Sequence, residues 1–129
     1  MILFLMSLFF SCVQGKKELE PTVAAFEKEV YDFGVIPFGQ DVPIEIKFSN
    51  KGENILKIKN VKTSCGCTVP KLTKTEVTTG NEAVVNIMVK PTRRGKFTSS
   101  VYVFYNGADS PKRIRIKGEI DYLDLLETE

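Results

Sequence analysis

Apolar and polar residues alternate along most of the chain, which is the pattern of half-buried β-strands rather than of helices. In residues 42–48, valine, isoleucine, isoleucine and phenylalanine occupy every second position, with proline, glutamate and lysine between them. A period of two places one face of such a strand on a core and the other in water. The same pattern predicts further strands at residues 27–33, 55–61, 82–90, 96–105 and 111–120.

The segments between these strands carry turn residues or few apolar residues. Turns are predicted at residues 37–40, 50–53, 93–95 and 106–107, where glycine, proline and asparagine collect. Residues 71–81, rich in threonine and lysine, are predicted as a long connection or irregular edge strand that crosses from one sheet to the other. About seven short strands without a helical period predict an all-β, antiparallel, immunoglobulin-like β-sandwich, with a single closed barrel as the alternative.

The inward faces of these strands define the predicted core. On the last strand, Arg113, Arg115 and Lys117 alternate with the inward isoleucines, and Lys57 and Lys59 form a second basic stripe. Such stripes are typical of a solvated strand face that also discourages edge-to-edge aggregation. Binding of an acidic glycan or a lipid headgroup is the alternative. The predicted core residues are Ile44, Ile46, Phe48, Ile58, Val85, Ile87, Val101, Val103, Ile114 and Ile116.

The first ten residues are apolar apart from Ser7. This stretch is shorter than the roughly 20 residues that cross a bilayer, but it fits the apolar region of a secretory signal. Residues 8–12 resemble a bacterial lipobox, which implies cleavage before Cys12 and lipidation of that residue. An ordinary signal peptide or a buried N-terminal strand is the alternative. The resulting prediction is a signal peptide at 1–11, a lipidated tether at 12–26, a folded domain at 27–120 and an acidic tail at 121–129.

Composition excludes several classes of function. The 18 lysine and arginine residues nearly balance 16 acidic residues, so the formal net charge is +2. A nucleic-acid-binding domain is usually strongly basic, and none is predicted here. Histidine, the commonest general base and metal ligand, is absent. Asp32, Asp41 and Glu45 do not form a recognisable catalytic pair, so the sequence predicts no catalytic residue, metal or cofactor.

The sequence Cys65-Gly66-Cys67 contains the two cysteines that remain once Cys12 is set aside. In an extended chain, residues two apart lie roughly 6.6 Å apart, near the upper limit of about 6.8 Å for a disulfide. Gly66 allows the backbone to tighten, and an exported protein meets an oxidising compartment. A local structural disulfide, or a closely apposed thiol pair, is therefore predicted. A redox pair and a Cu(I) site remain open alternatives.

A series of short motifs resembles the bacterial domain-of-unknown-function family 1573. The resemblance covers residues 27–120 and is most specific at the central Ser-Cys-Gly-Cys-Thr sequence. The motifs are Tyr31-Asp32-Phe33-Gly34, Gly39, Phe48-Ser49-Asn50-Lys51-Gly52, Ser64-Cys65-Gly66-Cys67-Thr68, Gly80 and Ile116-Lys117-Gly118. The resemblance implies an immunoglobulin-like architecture similar to major-sperm-protein and Hydin-type modules, which serve in binding or assembly. It supplies no catalytic residues.

Together these observations predict a lipid-anchored, non-enzymatic binding or structural module of the bacterial cell envelope. Lipid on Cys12 is expected to hold it in the outer membrane, facing the periplasm, where its partner would be a protein or another envelope component. The alternative is a small thiol-redox or Cu(I)-handling protein that uses Cys65 and Cys67.

Overall fold

A computed structural model describes residues 20–72 and 74–121 of the protein. They form strands and no helix. Hence no helix in the described part of the chain could span a membrane. The strands are β1 (Ala24–Phe26), β2 (Val30–Pro37), β3 (Val42–Asn50), β4 (Leu56–Thr63), β5 (Thr68–Leu72), β6 (Glu76–Val77), β7 (Glu82–Val89), β8 (Gly95–Tyr105) and β9 (Lys112–Asp121).

The strands form two sheets that pack as a β-sandwich. One sheet has four strands in the order β1-β3-β7-β5, and the other has five in the order β2-β9-β8-β4-β6. The predicted immunoglobulin-like sandwich is confirmed. Residues 71–81 cross between the sheets as predicted, because β5 lies in the four-stranded sheet and β6 in the five-stranded one.

The strand arrangement differs from the prediction at the N-terminal side. Residues 27–33 were predicted as one strand, but the chain leaves the four-stranded sheet after Phe26 and enters the five-stranded sheet at Val30. There β2 pairs with β9 in parallel, whereas the other strand pairs are antiparallel. The purely antiparallel arrangement was therefore wrong for this pair. β2 also continues through Gly34, where a register shift lets the strand extend to Pro37.

The boundaries of the folded domain also differ from the predicted ones. β1 pairs with β3 from Ala24 to Phe26, so the end of the predicted 12–26 tether belongs to the folded domain. Asp121, predicted as the start of the acidic tail, is the last residue of β9. The predicted signal peptide, Cys12 and the rest of the tail at 122–129 lie outside the described residues and stay predictions.

The core lies between the sheets and consists of the side chains that alternation directs inward. All ten predicted core residues are buried, and Ile46, Val85, Val101, Val103, Ile114 and Ile116 are completely inaccessible. Aromatic residues close the side near β1, where the Phe26 ring stacks on Phe48 with centroids 5.3 Å apart. Burial of this apolar surface is the main favourable contribution to folding.

Three asparagines, Asn50, Asn54 and Asn106, hold the N-terminal segment at one end of the sandwich, and we call them the asparagine clasp. The Asn106 amide donates to the carbonyl of Glu20 at 2.8 Å, and the Asn54 amide donates to that of Pro21 at 2.9 Å. The Thr22 hydroxyl donates to Asn50 Oδ1 at 2.7 Å. These bonds fix the position at which the chain begins its first strand.

Candidate functional site

The turn at residues 64–67, which we call the disulfide turn, joins β4 of one sheet to β5 of the other. It lies at the end of the sandwich opposite the asparagine clasp. Asn106 binds the backbone of Ile55 and Lys57 where β4 begins, and the disulfide turn follows Thr63 where β4 ends. An eight-residue strand spans about 26 Å. The two features therefore occupy opposite poles of the domain.

Cys65 and Cys67 are joined by a disulfide in the structure, with their Cα atoms 5.2 Å apart. Cys67 is buried, at 8% exposure, whereas Cys65 is partly exposed. The Cys67 amide donates to Cys65 Sγ at 3.2 Å. The structure thus brings the pair together, and the state of the bond in the cell stays a prediction.

Hydrogen bonds from neighbouring strands hold the disulfide turn. The Thr63 hydroxyl lies 3.1 Å from the carbonyl oxygens of both Cys65 and Thr68. The Lys90 amide donates to the Cys67 carbonyl at 2.7 Å. Since buried backbone groups are costly to leave unpaired, these bonds stabilise the turn in addition to the disulfide.

The lysines on either side of the disulfide turn contact other parts of the surface. An activated thiol needs exposure and a nearby cation, and Lys62 and Lys71 are the lysines closest to the two cysteines in sequence. The Lys62 ammonium lies over the Phe104 ring, 5.4 Å from its centroid, and Lys71 lines the outer face of the other sheet. The described residues contain no cluster of three or more potential metal-ligating side chains.

We predict that the Cys65→Ser/Cys67→Ser double variant folds. A three-residue disulfide loop stabilises a protein by only about 1.6 kcal/mol in the chain-entropy treatment. The melting temperature should therefore fall by about 6–13 °C, without loss of the cooperative transition. Mass spectrometry with and without reductant measures the bond, and circular dichroism measures the transition. Thiols that stay reduced in the exported protein and bind Cu(I) tightly would contradict the structural interpretation.

The outer surface of the five-stranded sheet carries a second candidate site. Alternation with buried Ile114 and Ile116 directs Arg113, Arg115 and Lys117 outward, so the predicted solvated stripe is exposed as expected. β8 contributes half-buried Tyr102 and Phe104 to the same surface. We call this surface the basic face and define it by Lys62, Lys96, Tyr102, Phe104, Arg113, Arg115 and Lys117.

A hydrogen-bonded chain connects the basic face to the disulfide turn. Arg113 Nε donates to the Ser100 hydroxyl at 3.1 Å. The Ser100 amide donates to the Ser64 hydroxyl at 2.9 Å, and the Ser64 amide donates to the Ser100 carbonyl at 2.9 Å. Ser64 directly precedes Cys65. Ser64 of the disulfide turn therefore positions Ser100, and Ser100 orients Arg113 on the basic face.

Sequence reasoning found only part of this surface. Lys57, assigned to the second basic stripe, instead pairs with Glu76 at 3.8 Å near the edge strand β6. Tyr102 and Phe104 were missed, although their alternation with Val101 and Val103 marks them as outward. Their proximity to Lys62 depends on strand register, which the sequence pattern of one strand does not reveal.

The acidic residues considered at the sequence level do not converge on one site. Asp32 lies opposite Lys117 in the five-stranded sheet, and its carboxylate accepts a bond from the Gly34 amide at 2.9 Å. Glu45 lies opposite Asn86 in the other sheet, and Asp41 is exposed in the preceding loop. Paired carboxylates that act on one substrate must lie close together, and these do not.

The hydroxyl of Tyr31 has a raised pKa, which does not suit the role of a general base. Burial raises the pKa of its hydroxyl above the ordinary value of 10.0, and the negative charge of Glu27 acts in the same direction. The hydroxyl is therefore protonated near neutral pH, where a general base must be ready to accept a proton.

The sequence matches the profile of the family described as protein of unknown function (DUF1573) over residues 24–120. The chain belongs to this family. The Ser-Cys-Gly-Cys-Thr sequence that carried the resemblance forms the disulfide turn and its flanks. The family match begins at Ala24, the first residue of β1. It therefore agrees with the fold in starting the domain before residue 27, the predicted boundary. No curated protein matches the sequence.

Solved structures support the architecture of this DUF1573 domain. A protein of unknown function from Porphyromonas gingivalis W83 is 20% identical, with a TM-score of 0.70 over 78% of this chain and 48% of that one. The chain thus spans about half the length of that protein. The ASH/PapD-like domain 7 of human CEP192 is 13% identical, with a TM-score of 0.65 over 90% and 96% of the two chains.

The major-sperm-protein family member WR4 from C. elegans is 12% identical, with a TM-score of 0.50 over 78% of this chain and 99% of that one. The predicted similarity to major-sperm-protein folds is therefore confirmed, and the CEP192 domain adds a similarity to PapD-like folds. At these identities the likeness establishes the fold alone. An immunoglobulin-like domain of this kind fits a binding or structural role.

Proposed function

We propose that this DUF1573 protein is a lipid-anchored, non-enzymatic binding module of the bacterial cell envelope. The asparagine clasp is the observation that carries the proposal. It holds the backbone of Glu20 and Pro21 at one pole of the sandwich, only eight residues after Cys12. An anchor at Cys12 would thus attach to that pole, while the disulfide turn would face away from the membrane.

The arrangement suits a module that presents its side to soluble or surface-bound partners. Eight residues reach at most about 29 Å, so the tether would keep the domain close to the lipid surface. Residues 13–17 lack the acidic cluster of the surface-export signals that Bacteroidota lipoproteins carry. We therefore place the protein on the periplasmic side of the outer membrane, which protease shaving of whole cells tests.

We predict that Cys12→Ala abolishes incorporation of an alkyne-tagged fatty acid and moves the protein out of the membrane fraction. The cause is loss of the only residue that the lipobox resemblance assigns to lipidation. The matched control is Cys65→Ser/Cys67→Ser, which also removes cysteine sulfur and should label like the unmodified protein. Equal labelling of the Cys12→Ala variant would refute the anchor.

A further inference from the structure

We propose that the basic face binds an acidic polysaccharide of the cell envelope, with Lys62 and Arg113 contacting its carboxylate groups and Tyr102 contacting a sugar ring. This inference names the ligand class of the binding role proposed above and rests on that role. It does not depend on the lipid anchor, because the residues involved belong to β4, β8 and β9.

The centre of the basic face is a row of three side chains across three strands. Tyr102 lies between Lys62 on β4 and Arg113 on β9, directly opposite both in register. Since neighbouring strands are about 4.8 Å apart, the Cα atoms of the two cations lie about 10 Å apart. The Lys62 ammonium lies over the Phe104 ring and Arg113 Nε is bonded to Ser100, so the two cations lean toward opposite ends of Tyr102 along β8. A polymer whose sugar ring lies on Tyr102 would therefore present successive carboxylates to the two cations, which favours charge-assisted hydrogen bonds.

The arginine in this row is held before any ligand binds. Its Nε donates to the hydroxyl of Ser100, which is 6% exposed. The backbone amide and carbonyl of Ser100 are both hydrogen-bonded to Ser64. This contact uses one of the five N–H donors of a guanidinium. The terminal amino groups remain for an anion. An oriented side chain loses less conformational entropy on binding, which raises affinity.

The distribution of charge favours a linear polymer over a flat membrane surface. Asp32 lies opposite Lys117, and Glu119 lies opposite Lys96, so the margin of the face near β2 is partly neutralised. Lys62, Arg113 and Arg115 have tyrosine, serine or valine opposite them instead. A narrow anionic chain can follow these three cations, whereas a planar anionic surface would also meet the two carboxylates.

The other side of the sandwich provides a matched control. Lys71 and Lys90 are exposed on the outer surface of the four-stranded sheet, beside Val69 and Met88. Replacing these two lysines by glutamine removes the same charge as Lys62→Gln/Arg113→Gln. Any difference between the two double variants therefore reports position rather than net charge.

The test measures binding of the purified protein to polygalacturonate at low and physiological salt, by calorimetry. We expect Lys62→Gln/Arg113→Gln to weaken binding about tenfold or more, and Lys71→Gln/Lys90→Gln to change it less than about twofold. Tyr102→Leu, which keeps the charge, should weaken binding to polygalacturonate while neutral dextran stays unbound. Melting curves verify folding, and Lys62→Gln alone serves if the double variant melts early.

Several results would overturn the proposal. These are an equal loss in both double variants, full affinity of Tyr102→Leu, or tighter binding to phosphatidylglycerol vesicles or single-stranded DNA than to polygalacturonate. Absence of polygalacturonate binding by the unmodified protein would also overturn it. Fatty-acid labelling at Cys12 is measured separately, so failure of the glycan site and failure of the anchor remain distinguishable.

Discussion

Replacing Ile87 with alanine is expected to lower the free energy of unfolding by about 2–5 kcal/mol. Ile87 lies in the middle of β7 at 2% exposure, and β7 is bordered by β3 on one side and β5 on the other. Truncation would remove buried methyl and methylene groups and leave a cavity that strands paired on both sides cannot easily close. The melting temperature should fall by at least about 8 °C.

Urea denaturation followed by circular dichroism measures this change, with Arg115→Ala as the control. Arg115 points outward from β9, next to buried Ile114 and Ile116. Its truncation should change the free energy of unfolding by less than about 0.5 kcal/mol. Equal destabilisation by the two substitutions would show that the strand faces are assigned wrongly, because a one-residue slip exchanges them.

Replacing Asn50 with alanine is expected to destabilise the domain by about 3–5 kcal/mol, because it leaves several buried polar groups unpaired. Asn50 is completely buried. Its amide donates to the carbonyls of Asn54 and Val77 at 2.8 and 2.9 Å. Its Oδ1 accepts bonds from the Thr22 hydroxyl at 2.7 Å and the Gly52 amide at 3.1 Å.

Thermal denaturation measures the total effect, and hydrogen exchange at the Thr22 amide tests its origin. That amide donates to the Asn106 carbonyl at 2.8 Å, so exchange should accelerate when the clasp loosens. Asn86→Ala, on the outer face of β7, is the matched control and should cost under about 1 kcal/mol. A stable Asn50→Ala variant with unchanged exchange would contradict the role assigned to the clasp.

The inward position of Ile87 can be predicted from the sequence, whereas the burial of Asn50 cannot. The inward position of Ile87 follows from alternation within one strand, which is a local property of the extended backbone. Asn50, in contrast, belongs to a sequence typical of a turn, and asparagine is usually exposed. Gly52 and Asn54 are local partners, but burial also requires Thr22 and Val77, which are distant in sequence and bond the remaining polar valences of the side chain.

The candidate sites divide in the same way. The Cys65-Gly66-Cys67 sequence predicts a close sulfur pair because only one residue separates the cysteines. By contrast, the sequence does not predict that Ser64 and Ser100 connect this turn to Arg113. Those residues meet only because β4 and β9 both pair with β8.

The sequence by itself determined the all-β class, the faces of the central strands and the position of the cysteine turn. These features depend on side-chain alternation and on contacts between residues close in the chain. The tertiary structure decided that residues 24–37 divide between two sheets, that β2 runs parallel to β9, and that Lys62, Tyr102 and Arg113 form one row. Strand partners, direction and register depend on which distant segment supplies the backbone hydrogen bonds, and alternation within a strand is compatible with several of them.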